Sequence, residues 1–275
     1  MKKQSVLTIL KYVFLYGYAL LIIFPLLFIL ISSFKDNEGI FTDPWGLPAG
    51  FHWETYMQLF TRYAMGMNFV NSFYYSTAGC ILSLLVCITA AYAISRMKWK
   101  YNKAVMGFFL LGLMIPAHST IIPLYISAFK VGVKDPRISL VLIFAAFSIP
   151  TTVYILSGFM KSLPREMEEA AIIDGCTIPG ALVRIIIPLL KPAIATVTIF
   201  TFLAIWNDLL FSLIFINNEK HNNLQLAITK FQGSYGSKYG SLLSAIVVSI
   251  IPTIIVYVLL QDKIVKGMTA GAVKG

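Results

Sequence analysis

Long apolar runs alternate with short polar, basic segments along the whole chain. Six runs reach the roughly 20 apolar residues that a helix rising about 1.5 Å per residue needs to cross a bilayer. They are 12–31, 69–95, 104–129, 138–160, 192–218 and 239–261. Asp208 is the one acid inside them, and no Lys or Arg interrupts them. The third run carries Pro116, His118 and Pro123, which predict a kink or local unwinding. The pattern predicts an all-α integral membrane protein: a single transmembrane domain, 1–275, with six helices, a loop at 161–191 and a tail at 262–275.

Composition agrees. Hydrophobic residues make up 58% of the chain and charged ones 12%, against about 25% charged in soluble domains. A net charge of +10 would raise nucleic acid as a partner in a soluble protein. Here the basic residues lie between apolar runs, which is a topology signal and excludes that class. The N-terminus, 96–103, 161–191 and the C-terminus hold 14 Lys and Arg, and the opposite segments hold 8. Both termini are therefore expected in the cytoplasm of a multi-pass protein. The first run is longer than a signal-peptide core and lacks a small-x-small cleavage site, so it is expected to be a retained helix.

The segment 35–68 is then external. It contains the turn-rich Asp43-Pro44-Trp45-Gly46-Leu47-Pro48. Trp53, Tyr56, Met57 and Phe60 follow at helical spacing, as for a helix on the membrane surface. Cys80, Cys87 and Cys176 form no C-x-x-C pair, and His52, His118 and His221 are too scattered for a metal site. No histidine or cysteine cluster, nucleophile motif or paired intramembrane carboxylate supports an enzyme.

The loop 161–191 is patterned. Ser162 before Leu163-Pro164 reads as a helix start, Glu166, Glu168 and Glu169 crowd its positive end, and Gly175 is a natural stop. Met167, Ala170, Ala171 and Asp174 share one side, made small by the alanines. A second short helix follows and breaks at Pro188. Packing against its own bundle and docking on another protein are both open on periodicity alone.

These residues resemble the EAA loop of ABC importer permeases. Glu169-Ala170-Ala171 is followed by three residues, Gly175, nine residues, and Ile185-Ile186-Ile187-Pro188, with Ile187 where that family has leucine. The tail Lys266 to Gly275, with Thr269, Gly271 and Lys274, resembles that of maltose-type and multiple-sugar permeases. Trp206-Asn207-Asp208 is similar to a Trp-Asn-acid stretch in the same family. The resemblance implies a type I ABC importer permease in the inner (plasma) membrane of a prokaryote, carrying a sugar. Its loop would couple to a cytoplasmic ATPase through Glu169, Ala170, Ala171, Asp174, Gly175, Ile185 and Pro188, and its tail would touch that ATPase. The implied partners are a second homologous permease, a dimer of ATPase subunits, an extracytoplasmic sugar-binding protein and membrane lipid.

The chain has no G-x-x-x-x-G-K-[ST] loop. It is expected to bind no cofactor and to be no enzyme, with ATP and Mg on the partner. Asp208 at membrane depth needs a wet cavity or a partner. With Trp206, Asn207, Phe211 and His118 it is the expected sugar pathway, and a polar clasp between helices is the competing reading. A secondary transporter is the rival function class, but it would need inverted repeats and midplane coupling-ion sites. An ABC permease for a non-sugar substrate is the nearer alternative.

Overall fold

The computed structural model describes residues 2–231 and 238–272, with side chains described for 8–231, 238–259 and 261. The described residues are helical and form no strand. In chain order the helices are α1 (Lys2–Ser32), α2 (Asn37–Thr42), α3 (Trp53–Thr61), α4 (Met65–Arg96), α5 (Asn102–Leu113), α6 (Ile121–Lys130) and α7 (Pro136–Ser162). Then come α8 (Glu166–Ile173), α9 (Ile178–Leu189), α10 (Lys191–Trp206), α11 (Leu210–Phe215), α12 (Leu224–Thr229) and α13 (Tyr239–Ala272).

Among the described residues, four helices are long and apolar enough to cross a membrane: α1 over Thr8–Ser32, α4, α7, and α13 over Tyr239–Leu259. Two bent pairs pass the same test together. Asn102–Leu113 with Ala117–Lys130 turns through 88°, and Ile178–Leu189 with Lys191–Trp206 turns through 76°. Counting each bent pair as one span gives six crossings. The first bend is the break expected at Pro116, since the residue before a proline is pushed out of helical geometry. Pro25, Pro150 and Pro252 sit inside α1, α7 and α13; membrane helices tolerate such breaks because neighbours re-satisfy the freed carbonyl.

The run 192–218 is not one helix. It divides at Asn207–Leu209 into α10 and α11, and α10 is preceded by α9 across the second bend. Asp208 therefore lies at a chain break and not in mid-helix.

The described chain forms two compact units. One comprises residues 1–66 and 227–252. In it Lys35 is buried, its ammonium donating to the carbonyls of Asp43 (2.6 Å) and Pro44 (3.2 Å), which fixes the turn-rich segment. Trp45 folds back over Phe24 and Phe28. In α3, Leu59 is buried while Trp53, Met57 and Phe60 are exposed, the apolar outer face expected of a helix at a lipid surface.

The other unit comprises 67–226 and 253–275. Here α4 and α7 run in the same direction, because the early residues Tyr75 and Leu140–Phe144 share one core and the late residues Cys87–Tyr92 and Val153–Met160 share another. The later core also takes in Ile186, Leu190, Ala193 and Val197 from α9 and α10. At Gly79 of α4 an added Cβ would stand 2.9 Å from Ile205 Cδ1 and 3.4 Å from Phe144 Cβ. Glycine is what lets α4 lie this close to α7 and α10. Helix α7 starts on Pro136, capped by Asp135, whose carboxylate accepts from the Arg137 backbone (2.9 Å) and guanidinium (2.9 Å). Those hydrogen bonds hold the Asp135 carboxyl below the usual carboxylate range.

Candidate functional site: the glycine elbow and the Asp208 cavity

No residue of helix α8 is fully buried. It ends at Gly175, which has φ +86°. The Gly175 N–H reaches Ile172 O (3.0 Å) and the Cys176 N–H reaches Ala171 O (2.9 Å), the paired carbonyl capping of a left-handed helix end. Thr177 then accepts from Gly180 N at 3.3 Å and starts α9, with Pro179 in the first turn. The elbow expected from the sequence is thus present. The Thr177 cap was missed, although Thr-x-Pro after a glycine is a legible signal.

Two expectations need correction. Ser162 is the last residue of α7, and α8 begins at Glu166; α7 runs on past Lys161, and Leu163-Pro164 forms the link between the helices. The second helix does not break at Pro188. It runs to Leu189 by widening first: the Ile187 N–H reaches back five residues to Leu182 O. The wider turn relieves the clash of the Pro188 ring with the carbonyl four residues before it. Ile185 is half-buried and Pro188 exposed.

Of the expected coupling residues, Glu169, Ala170, Asp174 and Gly175 are exposed and Ala171 is half-buried. Beside them Met167 and Ile173 are exposed, Ile173 by 84%. The inward side carries Glu168 and the half-buried Ala171, while Ala170 faces outward. Of the tail residues, Lys274 lies outside the described residues, and for Thr269 and Gly271 only the backbone is described.

A cavity of about 360 Å³ opens beside the α10–α11 break. Asp208, His118 and Phe211 line it, as expected together, with Phe144, Phe147, Ser148, Thr151, Phe200 and Thr201. The hydroxyls of Ser148 and Thr151 flank Pro150 in the middle of α7, a polar notch in an apolar run that sequence reasoning passed over. Trp206 and Asn207 are not in the lining. The Trp206 ring is buried between Phe69 (5.5 Å) and Phe202 (5.7 Å), and Asn207 donates to Leu203 O at 2.9 Å.

Nor is the Asp208 carboxylate an interhelical clasp. Its Oδ2 accepts from Ser212 N (3.0 Å) and Ser212 Oγ (2.9 Å), and its Oδ1 from Phe211 N (3.4 Å). These donors belong to its own turn, the first of α11. The longer-range tie is made by its main-chain carbonyl, which accepts from Asn223 Nδ2 at 2.7 Å.

Residues 83–270, which include α8, α9 and the cavity lining, match the model of the binding-protein-dependent transport system inner membrane component. This chain belongs to that family. The permease is similar to the trehalose transport system permease protein SugB of Mycobacterium tuberculosis, 31% identical over 94% of each chain. It is also similar to the sulfoquinovosyl glycerol transport system permease protein SmoH of Agrobacterium fabrum, 30% identical over 92% of this chain and 89% of that one. In fold it matches a chain of a bacterial ABC transporter involved in the import of the acidic polysaccharide alginate. The TM-score is 0.83 at 23% identity, over 95% of this chain and 98% of that one. The permease is accordingly an all-α, multi-pass membrane component of a binding-protein-dependent importer.

Proposed function

We propose that this permease forms half of the pathway for a sugar or oligosaccharide in an ABC importer, paired with a second homologous permease. A dimer of ATPase subunits drives it, and an extracytoplasmic binding protein supplies the sugar. The observation that carries the reading is the outward-facing helix pair α8–α9, bent at Gly175. Glu169, Ala170 and Ile173 stand exposed on it with nothing of their own bundle to cover them. A small-residue surface flanked by apolar side chains and the exposed carboxylates of Glu169 and Asp174 suits a groove on a partner protein. Elbow and tail face the cytoplasm together with both termini, as the balance of Lys and Arg supports.

The Asp208 cavity supports the substrate class. Four phenylalanine rings offer faces for the C–H surfaces of a sugar, and Asp208, His118, Ser148, Thr151 and Thr201 offer hydrogen-bond partners for hydroxyls. ATP and Mg are bound by the ATPase partner, and the permease itself performs no chemistry. Alternating access exposes the cavity to one side of the membrane and then the other.

The test is co-purification of the permease with its genetic neighbours, followed by uptake into proteoliposomes. ATP-dependent uptake of a radiolabelled sugar that requires the binding protein supports the reading. Ion-gradient-driven uptake without an ATPase overturns it.

A further inference from the structure

Glu168 and Glu169 are neighbours with opposite surroundings. Glu169 is exposed, while the side chain of Glu168 is only 12% exposed and turns toward the end of α4. There the Tyr92 hydroxyl donates to Glu168 Oε1, and Arg96 Nε stands 3.7 Å from Glu168 Oε2. One turn separates Tyr92 from Arg96, so both reach the same carboxylate from one helix face. Arg96 also donates through Nη2 to Leu163 O at 3.0 Å, just past the end of α7. The last turn of α4 therefore holds both ends of the α7–α8 link. The arginine is itself buried, and its Nε has no hydrogen-bond partner.

We propose that Tyr92 and Arg96 are positioning residues that clamp the coupling helix α8 to α4 through Glu168, and that the Arg96–Glu168 contact tightens as α8 is driven by its partner. A separation of 3.7 Å is too long for a hydrogen bond, whereas a charge-assisted Arg–carboxylate bond closes to about 2.7–2.9 Å. A shift of α8 by roughly an ångström completes the pair and satisfies the orphaned Nε. The clamp thus has two arrangements, loose and engaged, as an element that transmits motion requires. Its tyrosine arm remains bonded in both.

The other end of α4 gives that motion a destination. About 30 Å along the helix, Asn71 donates to Lys220 O (2.8 Å) and Asn222 O (2.9 Å), Tyr75 to His221 O (2.9 Å), and Ser72 accepts from Leu224 N (2.8 Å). Asn223 in the segment so held donates to the Asp208 carbonyl and to Ser212 Oγ. A displacement of α4 therefore reaches the turn that presents Asp208 to the cavity.

The inference rests on the proposed function, and the test separates the two. The complete complex is purified with its own ATPase and binding protein and reconstituted in nanodiscs carrying Tyr92→Phe, Glu168→Gln or both. ATP hydrolysis is measured with and without the binding protein. The expected result is unchanged assembly and basal hydrolysis within about twofold, with stimulation by the binding protein reduced about tenfold in Glu168→Gln. The double variant should be no worse than Glu168→Gln, since residues of one clamp are not additive. Arg96→Lys keeps the charge and should retain more stimulation than Arg96→Gln, a distinction that mere structural support does not predict. A structure of the ATP-bound complex should show Arg96 Nε in bonding distance of Glu168. Full stimulation in Glu168→Gln, or a wider Arg96–Glu168 gap with ATP bound, overturns the clamp. Failure of the wild-type chain to capture any ATPase overturns the proposed function instead.

Discussion

Replacing Gly175 separates a backbone requirement from a packing one. Its φ of +86° lies in the left-handed region, which costs an L-residue roughly 1–2 kcal/mol. A Cβ built at this position meets nothing within 4 Å, so sterics add no further cost and the backbone carries the whole penalty. That amount is about a 5- to 30-fold loss of the elbow conformation relative to competing ones. The series should rank by tolerance of the left-handed region. Gly175→Asn should be mildest, Gly175→Ala intermediate and Gly175→Val worst, because a branched β-carbon is the least tolerated there. Binding-protein-stimulated ATP hydrolysis of the reconstituted complex should fall in that order, with membrane insertion near normal. Hydrogen exchange at the Gly175 and Cys176 amides, which close the elbow onto Ile172 O and Ala171 O, should speed up in the same order. A valine variant with wild-type stimulation and exchange would refute the claim that this elbow docks the permease on its motor.

Asp208→Ala strips the acceptor from Ser212 N, Ser212 Oγ and Phe211 N. Each buried donor left unpaired costs about 1–3 kcal/mol, so sugar uptake should fall at least about tenfold while the complex still elutes intact from size exclusion. Asp208→Asn keeps an acceptor and removes the charge, and normal uptake in that variant would take the carboxylate out of the pathway. In a cysteine-free background, Leu47→Cys should label with an impermeant maleimide from outside intact cells and Ile173→Cys only after lysis. Both sites are highly exposed, and the reverse pattern would overturn the topology. The Asp135 carboxyl is held below its usual range by Arg137, so its contribution to stability is present above the ordinary Asp pKa of about 3.9 and is lost as pH falls below it. The difference in thermal melts between wild type and Asp135→Asn should be fully present at pH 7 and shrink as pH falls below the ordinary Asp range, and a constant difference down to acid pH would refute the assignment.

Sequence alone determined the solvent and the class of fold. Apolar runs of membrane length, basic segments between them and one intramembrane acid leave lipid as the only environment that accommodates so much apolar surface. The glycine elbow was legible too, because capping is local chemistry written in adjacent residues. Where helices bend was legible only in part. Pro116 announced one break, but the division of 192–218 at Asp208 was hidden, since hydropathy continues smoothly through a turn whose amides at Phe211 and Ser212 donate to the Asp208 carboxylate and whose Asp208 carbonyl accepts from Asn223. Only tertiary structure separated the candidate residues around Asp208. Trp206 and Asn207 adjoin it in sequence yet point to Phe69 and Leu203, while His118 and Ser148 come from other helices to share its cavity. It likewise decided which of two adjacent glutamates faces outward, because that depends on where α4 ends and brings Tyr92 and Arg96 to α8 across more than seventy residues of chain. Periodicity fixes the faces of one helix, whereas the neighbour each face meets is set by the packing of helices distant in sequence.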